Sequence, residues 1–292
     1  MLRLSLFLIA MVSCILLNGQ EVFQTFKDRR IINAQSVEML KKYELDVRIT
    51  HRFGDLAGDN GGFQTFFGFE NATDVMIGAE YGILNNLNAG IYRAKGAGSY
   101  PSGRSGLRQL MNGFVKYRIL QQSDQDGSPI TLAVLGVASV SSGPKSESPS
   151  SINNFSTFTD RMAFAAQLLI AKKFSDGFSL QLNGGYVHRN LVAFDDVNGI
   201  ISLGIATRVQ VNKVFGLIAD VTLPFSENRT TAEGFYPSIG VGLEIDTGGH
   251  IFQVNLTNSK GSVETDYIPY STSNWGDGEF RLGFTISRIF HL

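Results

Sequence analysis

The sequence predicts an all-β fold: a single up-and-down antiparallel transmembrane β-barrel of about twelve strands behind an N-terminal signal peptide. Three observations predict it. From Tyr43 to Phe290 the chain falls into segments of transmembrane length in which apolar and polar residues alternate. The connections also alternate. They are tight after the second, sixth, eighth and tenth strands, at Leu84-Asn85-Asn86, Ser175-Asp176-Gly177, Asn212-Lys213 and Thr247-Gly248. They are long after every odd strand, at 54–72, 96–109, 141–159, 190–198, 224–235 and 259–277. Outer-membrane barrels have such short periplasmic turns, long outer loops and an even strand number. Finally, charged residues are only 17% of the chain and Gly numbers 32, while the mean hydropathy is just +0.03. A wall apolar on one face and polar on the other satisfies both values.

Residues 1–19 read as a secretory signal peptide. Arg3 is the basic start and Leu4 to Leu17 the apolar stretch, with cleavage near Gly19-Gln20. The stretch is short of the roughly 20 residues of a spanning helix. Cys14, the sole cysteine, lies inside it, and Met11-Val12-Ser13-Cys14 faintly resembles a lipoprotein box. Ordinary cleavage leaves a mature chain without cysteine, hence without disulfides, thiolate metal sites or a Cys nucleophile. The net charge of −1 gives no basic patch for nucleic acid.

Residues 20–42 form a polar, irregular N-terminal arm, read either as a periplasmic tether or as a plug folded into the lumen. Its second half, Ser36 to Lys42, suits a short helical turn. Residues 43–292 are the barrel. Strand 1 sets Tyr43, Leu45, Val47, Ile49 and Phe53 against Glu44, Asp46, Arg48, Thr50 and Arg52. Lipid cannot solvate charge, so the apolar series faces out. Strand 2 places Val75, Ile77, Ala79 and Tyr81 outward, strand 3 Leu87, Ala89 and Ile91, strand 4 Val115, Tyr117 and Ile119. Strand 7 sets Phe178, Leu180, Leu182 and Tyr186 against Ser179, Gln181, Asn183 and Arg189. Ile201, Leu203 and Ile205, then Ile239, Val241, Leu243 and Ile245, then Phe252, Val254 and Leu256 mark strands 8, 10 and 11. Strands 5, 6 and 9 are less alternating. Thr131–Val140 and much of Val214–Leu223 are apolar on both faces, which predicts a greasy stretch of lumen covered by a loop or plug. The last strand alternates Phe280, Leu282, Phe284 and Ile286 with Glu279, Arg281, Gly283 and Thr285. Its end near Phe290 resembles the signal read by the barrel assembly machinery, an expected partner in biogenesis alongside outer-membrane lipid.

Several stretches together resemble a Bacteroidetes-type family of outer-membrane β-barrels known as a domain of unknown function. They are Arg30-Ile31-Ile32-Asn33, Ser36-Val37-Glu38, His51-Arg52-Phe53-Gly54-Asp55 and Asn71-Ala72-Thr73. Tyr186-Val187-His188-Arg189-Asn190, Gly248-Gly249-His250-Ile251-Phe252-Gln253, Thr257-Asn258-Ser259 and Trp275-Gly276-Asp277-Gly278 complete the set. The resemblance runs the length of the mature chain. It implies one barrel in the outer membrane and transfers no catalytic or ligand residue.

The inward series collects charges of both signs: Glu44, Asp46, Arg48, Arg52, Asp74, Glu80, Lys116, Arg118, Arg161, Arg189, Arg208, Asp220, Glu244, Glu279 and Arg281. A ring of one sign points to an ion-selective pore; a mixed set points to paired charges stiffening a narrow or filled lumen. His51, His188 and His250 fall on outward faces at opposite rims, so they form no shared metal site, since zinc needs three or four convergent ligands. The positions two beyond them are Phe53, Asn190 and Phe252, which supplies no Ser for a nucleophile–base pair. Trp275, the sole Trp, is an interfacial anchor or part of a loop over the mouth. No cofactor, metal or catalytic residue is expected. The functional expectation is a non-enzymatic narrow or plugged passage or binding barrel for a small solute or lipid. Its alternatives are a scaffold barrel engaging a partner through its loops or arm, and a lipid-modifying enzyme.

Overall fold

The computed structural model describes residues 24–95, 109–123, 127–149 and 151–292; the signal peptide lies outside them. Twelve strands form one closed antiparallel barrel. In chain order they are β1 (Glu44–Phe53), β2 (Ala72–Leu84), β3 (Leu87–Lys95), β4 (Gln109–Leu120), β5 (Thr131–Ser141) and β6 (Met162–Ser175). Then follow β7 (Phe178–Arg189), β8 (Gly199–Gln210), β9 (Phe215–Phe225), β10 (Ser238–Asp246), β11 (His250–Thr257) and β12 (Arg281–His291). Each pairs with its sequence neighbours, and β1 pairs with β12 from Glu44↔His291 to Arg52↔Gly283. Closure leaves no edge strand, which a hydrocarbon environment demands because it offers no partner for a free amide or carbonyl.

Alternation decides which side chains face in. On β1, Glu44, Asp46, Arg48, Thr50 and Arg52 are buried, while Val47 and Ile49 are exposed. The weakly alternating strands behave the same way. Ala133, Leu135 and Val137 of β5, and Ala163, Ala165, Leu169 and Ala171 of β6, are buried inside; Val134 and Leu168 face out. On β9 the inward side is less greasy than the sequence suggests, because Ile218 is flanked by buried Asp220 and Thr222. The lumen therefore has two unlike arcs, an apolar one on β4–β6 and a charged one running from β7 through β12 to β2.

Aromatics ring both ends of the outward face. Phe164, Tyr186 and Phe225 stand at the long-loop end; Tyr43, Tyr117, Phe174, Phe178, Phe215 and Phe290 stand at the short-turn end. Tyr43 precedes β1 in a left-handed turn (φ 71°) rather than opening the strand. The band between is lipid-facing. Ile49 lies within it at 40% exposure. Ile49→Arg is expected to destabilise the barrel by about 2–4 kcal/mol if the site lies near the bilayer midplane. Denaturant unfolding in lipid vesicles reads this, and a loss below about 1 kcal/mol would place Ile49 outside the hydrocarbon.

Candidate functional site

The lumen is occupied by the chain itself, from both ends. Residues 24–42 run up the inside from the short-turn end. Phe26, Ile31, Ile32, Val37 and Leu40 are buried there, and so are Asp28, Arg29, Arg30, Asn33, Gln35 and Ser36. The arm is not helical over 36–42. It has no regular structure there, and its peptide groups bond to the wall instead: the Val37 amide donates to Gln181 Oε1 (2.8 Å), while Gln181 Nε2 donates to the Gln35 carbonyl (2.8 Å). Lys116 Nζ donates to the Ser36 carbonyl (3.2 Å).

Two charge sets hold the arm. In the first, Arg48 Nη1 donates to Asp28 Oδ2 (3.0 Å) and Gln253 Nε2 donates to the same oxygen (2.9 Å). Arg29 reaches Asp46 (3.0 Å) and Ser287 Oγ (2.8 Å). Burial raises the Asp28 carboxyl, but Arg48 and Arg29 outweigh it and hold the group below the ordinary Asp value. The stabilisation it gives the docked arm is therefore complete above the unfolded value of 3.8 and is lost as pH falls through the lower folded value. Hydrogen exchange of the arm amides should stay slow down to the ordinary carboxylate range and rise only below it. Release at pH 5 to 6 would contradict this assignment.

The second set is a nest. The tight loop Ile31–Ala34 is closed by the Ile31 amide on the Ala34 carbonyl (2.9 Å). It turns three amides onto Asp220 of β9: Ile32 (3.2 Å), Asn33 (2.6 Å) and Ala34 (3.0 Å). Asn33 Nδ2 adds a fourth bond (2.7 Å). Successive amides in a turn make an anion-binding concavity, filled here by a wall carboxylate. Gly240 of β10 leaves the room for it, since a Cβ there would lie 2.8 Å from Ile32 and 2.9 Å from Asp220.

From the long-loop end, the β11–β12 connection folds inward. Residues 261–271 are buried throughout and include the short helix α1 (Glu264–Tyr267). This loop springs from one side of the barrel and packs against β5, β6 and β7 on the other. Thr265 Oγ1 meets Ser139 Oγ of β5 at 2.7 Å, and the Ser262 amide donates to Asp74 (2.9 Å). Val263, Tyr267 and Ile268 join the apolar cluster with Leu135, Val137, Ala165 and Leu169. Arm and loop meet at Arg30, which pairs with Glu264 (3.0 Å) and donates to the Ser262 carbonyl (2.8 Å). Arg52 ties both to β1, through Asn33 Oδ1 (2.7 Å) and the Ser259 and Gly261 carbonyls.

Above this, three loops are latched together. Arg229, in the β9–β10 connection, forms a bidentate pair with Asp196 of the β7–β8 connection (2.7 and 2.9 Å). It also donates to the Pro269 carbonyl (2.6 Å) and lies over the Phe235 ring (4.3 Å). Arg189 stacks on Tyr270 at 4.4 Å.

The inward charges read from the sequence fall into place around these segments. Asp46, Arg48, Arg52, Asp74, Glu80, Lys116, Arg189, Arg208, Asp220, Glu244 and Arg281 are all buried on the inner wall, and Glu44 lies at its short-turn rim. Several pair with each other, such as Arg208 with Glu244 (2.6 Å) and Lys116 with Glu80 (3.6 Å). Arg118 is half-buried at the rim, donating to the Asn85 carbonyl (3.0 Å). Arg161 and Glu279 are not strand residues. Arg161 ends a 3-10 turn before β6, over the Phe155 ring (4.2 Å), and anchors the loop through the Ser141 and Gly143 carbonyls. Glu279 precedes β12 and accepts the Asn274 amide (2.6 Å). Period-two counting ran each strand past the point where its ladder stops.

His51, His188 and His250 stand on the outward face, stacked on Phe284, Tyr186 and Phe252 respectively. His51 and His188 lie at the long-loop end and His250 at the other. Among the described residues no cluster of His, Cys, Asp or Glu is placed to hold a metal. Trp275 sits in a 3-10 turn, packed on Phe280 at 4.9 Å. The inward β11–β12 loop is the part the sequence reading missed. Its signal was present in Val263, Tyr267, Ile268 and Tyr270, four large apolar or aromatic residues in a stretch assigned to solvent.

A closed twelve-strand sheet with a lipid-facing outer band and a lumen filled by its own chain defines a membrane-bound β-barrel. The chain belongs to the membrane-bound beta barrel domain family DUF5777, whose model matches residues 26–290. No curated protein matches it significantly. Among solved structures it is similar to the NanC porin, at 10% identity and TM-score 0.49, with 85% of this chain and 99% of that one covered. It is similar to the KdgM porin, at 9% identity and TM-score 0.48, with 85% and 99% covered. An outer-membrane channel from Pseudomonas putida F1 follows at 13% identity and TM-score 0.45, with 89% and 100% covered.

Proposed function

We propose that this chain is a non-enzymatic outer-membrane barrel of a Gram-negative bacterium, a passage for a small solute or lipid that is shut at rest by its own plug. The short-turn end, with the arm, faces the periplasm, and the long loops face outward. One observation carries the reading: two segments of the chain fill the lumen from opposite ends and meet at the Arg30–Glu264 pair. A barrel built only to stand in a membrane needs one filler, whereas two separately tethered stoppers make a passage that is closed from each side. The unmodified full-length protein in a planar bilayer is expected to show no large steady current. Large, stable open-channel currents from it would overturn the plugged reading.

A scaffold role has one specific observation in its favour. The β1–β2 connection exposes Phe63, Phe66, Phe67 and Phe69. Phe66 and Phe67 are held at φ 46° and 55°, a conformation costly for side-chain-bearing residues. Exposed, strained aromatics at a loop tip suit contact with a partner. Binding that survives in the barrel but is lost on replacing these four residues with Ser would support that role.

A further inference from the structure

The fillers carry information about what replaces them. The arm presents hydrogen-bonding groups to the charged arc, and the inward loop presents Val263, Tyr267 and Ile268 to the apolar arc formed by Phe114, Leu135, Val137, Ala165 and Leu169. Moving the loop without a substitute would expose that apolar wall to water, which is unfavourable in proportion to the area uncovered.

Lys116 stands where the two arcs join. Its neighbour across the β4–β5 ladder is Leu135, and its ammonium is held by the arm's Ser36 carbonyl and by Glu80. Without the arm it keeps only Glu80. On the outer face of the same arc a second feature points to the same chemistry. An apolar groove of about 610 Å3 crosses β4–β7, floored by Gly113, Gly136, Ala138 and Ala166 and rimmed by Phe164, Tyr186 and His188. The outer face of this arc is thus apolar, and its inner face sets Leu135, Val137, Ala165 and Leu169 beside the polar Asn112, Ser139 and Gln167.

From this we infer that the passage takes a single-chain amphiphile: an acyl body along Leu135, Val137 and Leu169, with an anionic head beside Lys116. The inference rests on the passage reading above. Its test uses the full-length protein carrying Asp220→Ala, to release the arm, with Ser139→Cys and Thr265→Cys, in phosphatidylcholine nanodiscs, with palmitate bearing a chain diazirine as the probe. After irradiation, the labelled residues are mapped by mass spectrometry. Strand alternation makes the result unambiguous, since Leu135 and Leu169 face the lumen while Val134 and Leu168 face lipid. The reduced protein is expected to be labelled at inward positions. Oxidation, which pins the loop over the arc, should lower that labelling at least tenfold and leave outward labelling unchanged. Lys116→Met should lower inward labelling several-fold. Labelling confined to Val134, Leu168 and the outer groove overturns the inference. Conductance of the same protein keeps the two readings apart. Current governed by the cross-link without inward labelling leaves the passage standing and removes the amphiphile. Neither current nor inward labelling removes both.

Discussion

Replacing Asp220 with alanine should free the arm from the lumen while leaving the barrel intact. The carboxylate accepts four bonds from Ile32, Asn33 and Ala34 and is 2% exposed. The substitution takes the acceptor from three buried amides and leaves the Asn33 carboxamide only its longer bond to Thr257 Oγ1 (3.3 Å). A buried donor left without its acceptor costs about 1–3 kcal/mol, so three amides together cost at least about 3 kcal/mol. At 1.4 kcal/mol per tenfold, the undocked population rises by roughly two to three orders of magnitude. Arg29 and Arg30 are buried in the docked arm, so trypsin reads the outcome. Cleavage there should be slow in the native protein and at least a hundredfold faster in Asp220→Ala, with the heat-modifiable migration of the barrel retained. Asp220→Asn keeps one acceptor and should fall between. An arm that stays protected in Asp220→Ala would show that the Asp28 and Arg29 contacts, with the packing of Phe26, Ile31 and Val37, hold it without the nest.

The second large effect is expected from the cross-link between Ser139 and Thr265. Their side-chain oxygens are 2.7 Å apart, joining β5 to a loop that springs from β11. Two sulfurs there need to close to about 2.05 Å, a small adjustment for side chains this close. The sequence has one other cysteine, Cys14, which the expected signal-peptide cleavage would remove. Oxidation should therefore form one intramolecular bond. With the arm released by Asp220→Ala, conductance should be low in the oxidised protein and rise several-fold on reduction. Equal currents in both states would mean that the loop does not obstruct the path.

Much of this molecule was legible in its sequence because lipid enforces a simple rule. Each β1 residue from Glu44 to Arg52 must be either soluble in hydrocarbon or shielded from it, so alternation alone assigns faces. The connections were legible because turn pairs such as Asn85-Asn86 and Asp176-Gly177 carry their own backbone chemistry. What fills the lumen was harder to see. Val37 and Ile32 bond to Gln181 and Asp220, residues 144 and 188 positions away, and no local pattern records such partners. The inward loop was hidden for a related reason. Loops are read as solvated by default, and Tyr267 and Ile268 contradict that only once the far wall of β5 and β6 is known to be apolar. Strand 5 and strand 6 had already shown the complementary half of that fact.

The seam between β1 and β12 also sets an order of events during assembly. The last residue of the chain donates its amide to the Tyr43 carbonyl, beside the start of the first strand. The sheet therefore cannot become a cylinder until its final strand exists. The Asp28–Arg48 contact spans only 20 positions, so its loop-closure entropy is small and it can form while the first hairpin stands alone. In that order the later strands would wrap around a segment already in place, with no thread to push into a finished tube, and the filler would serve as a mandrel that sets the bore of the cylinder.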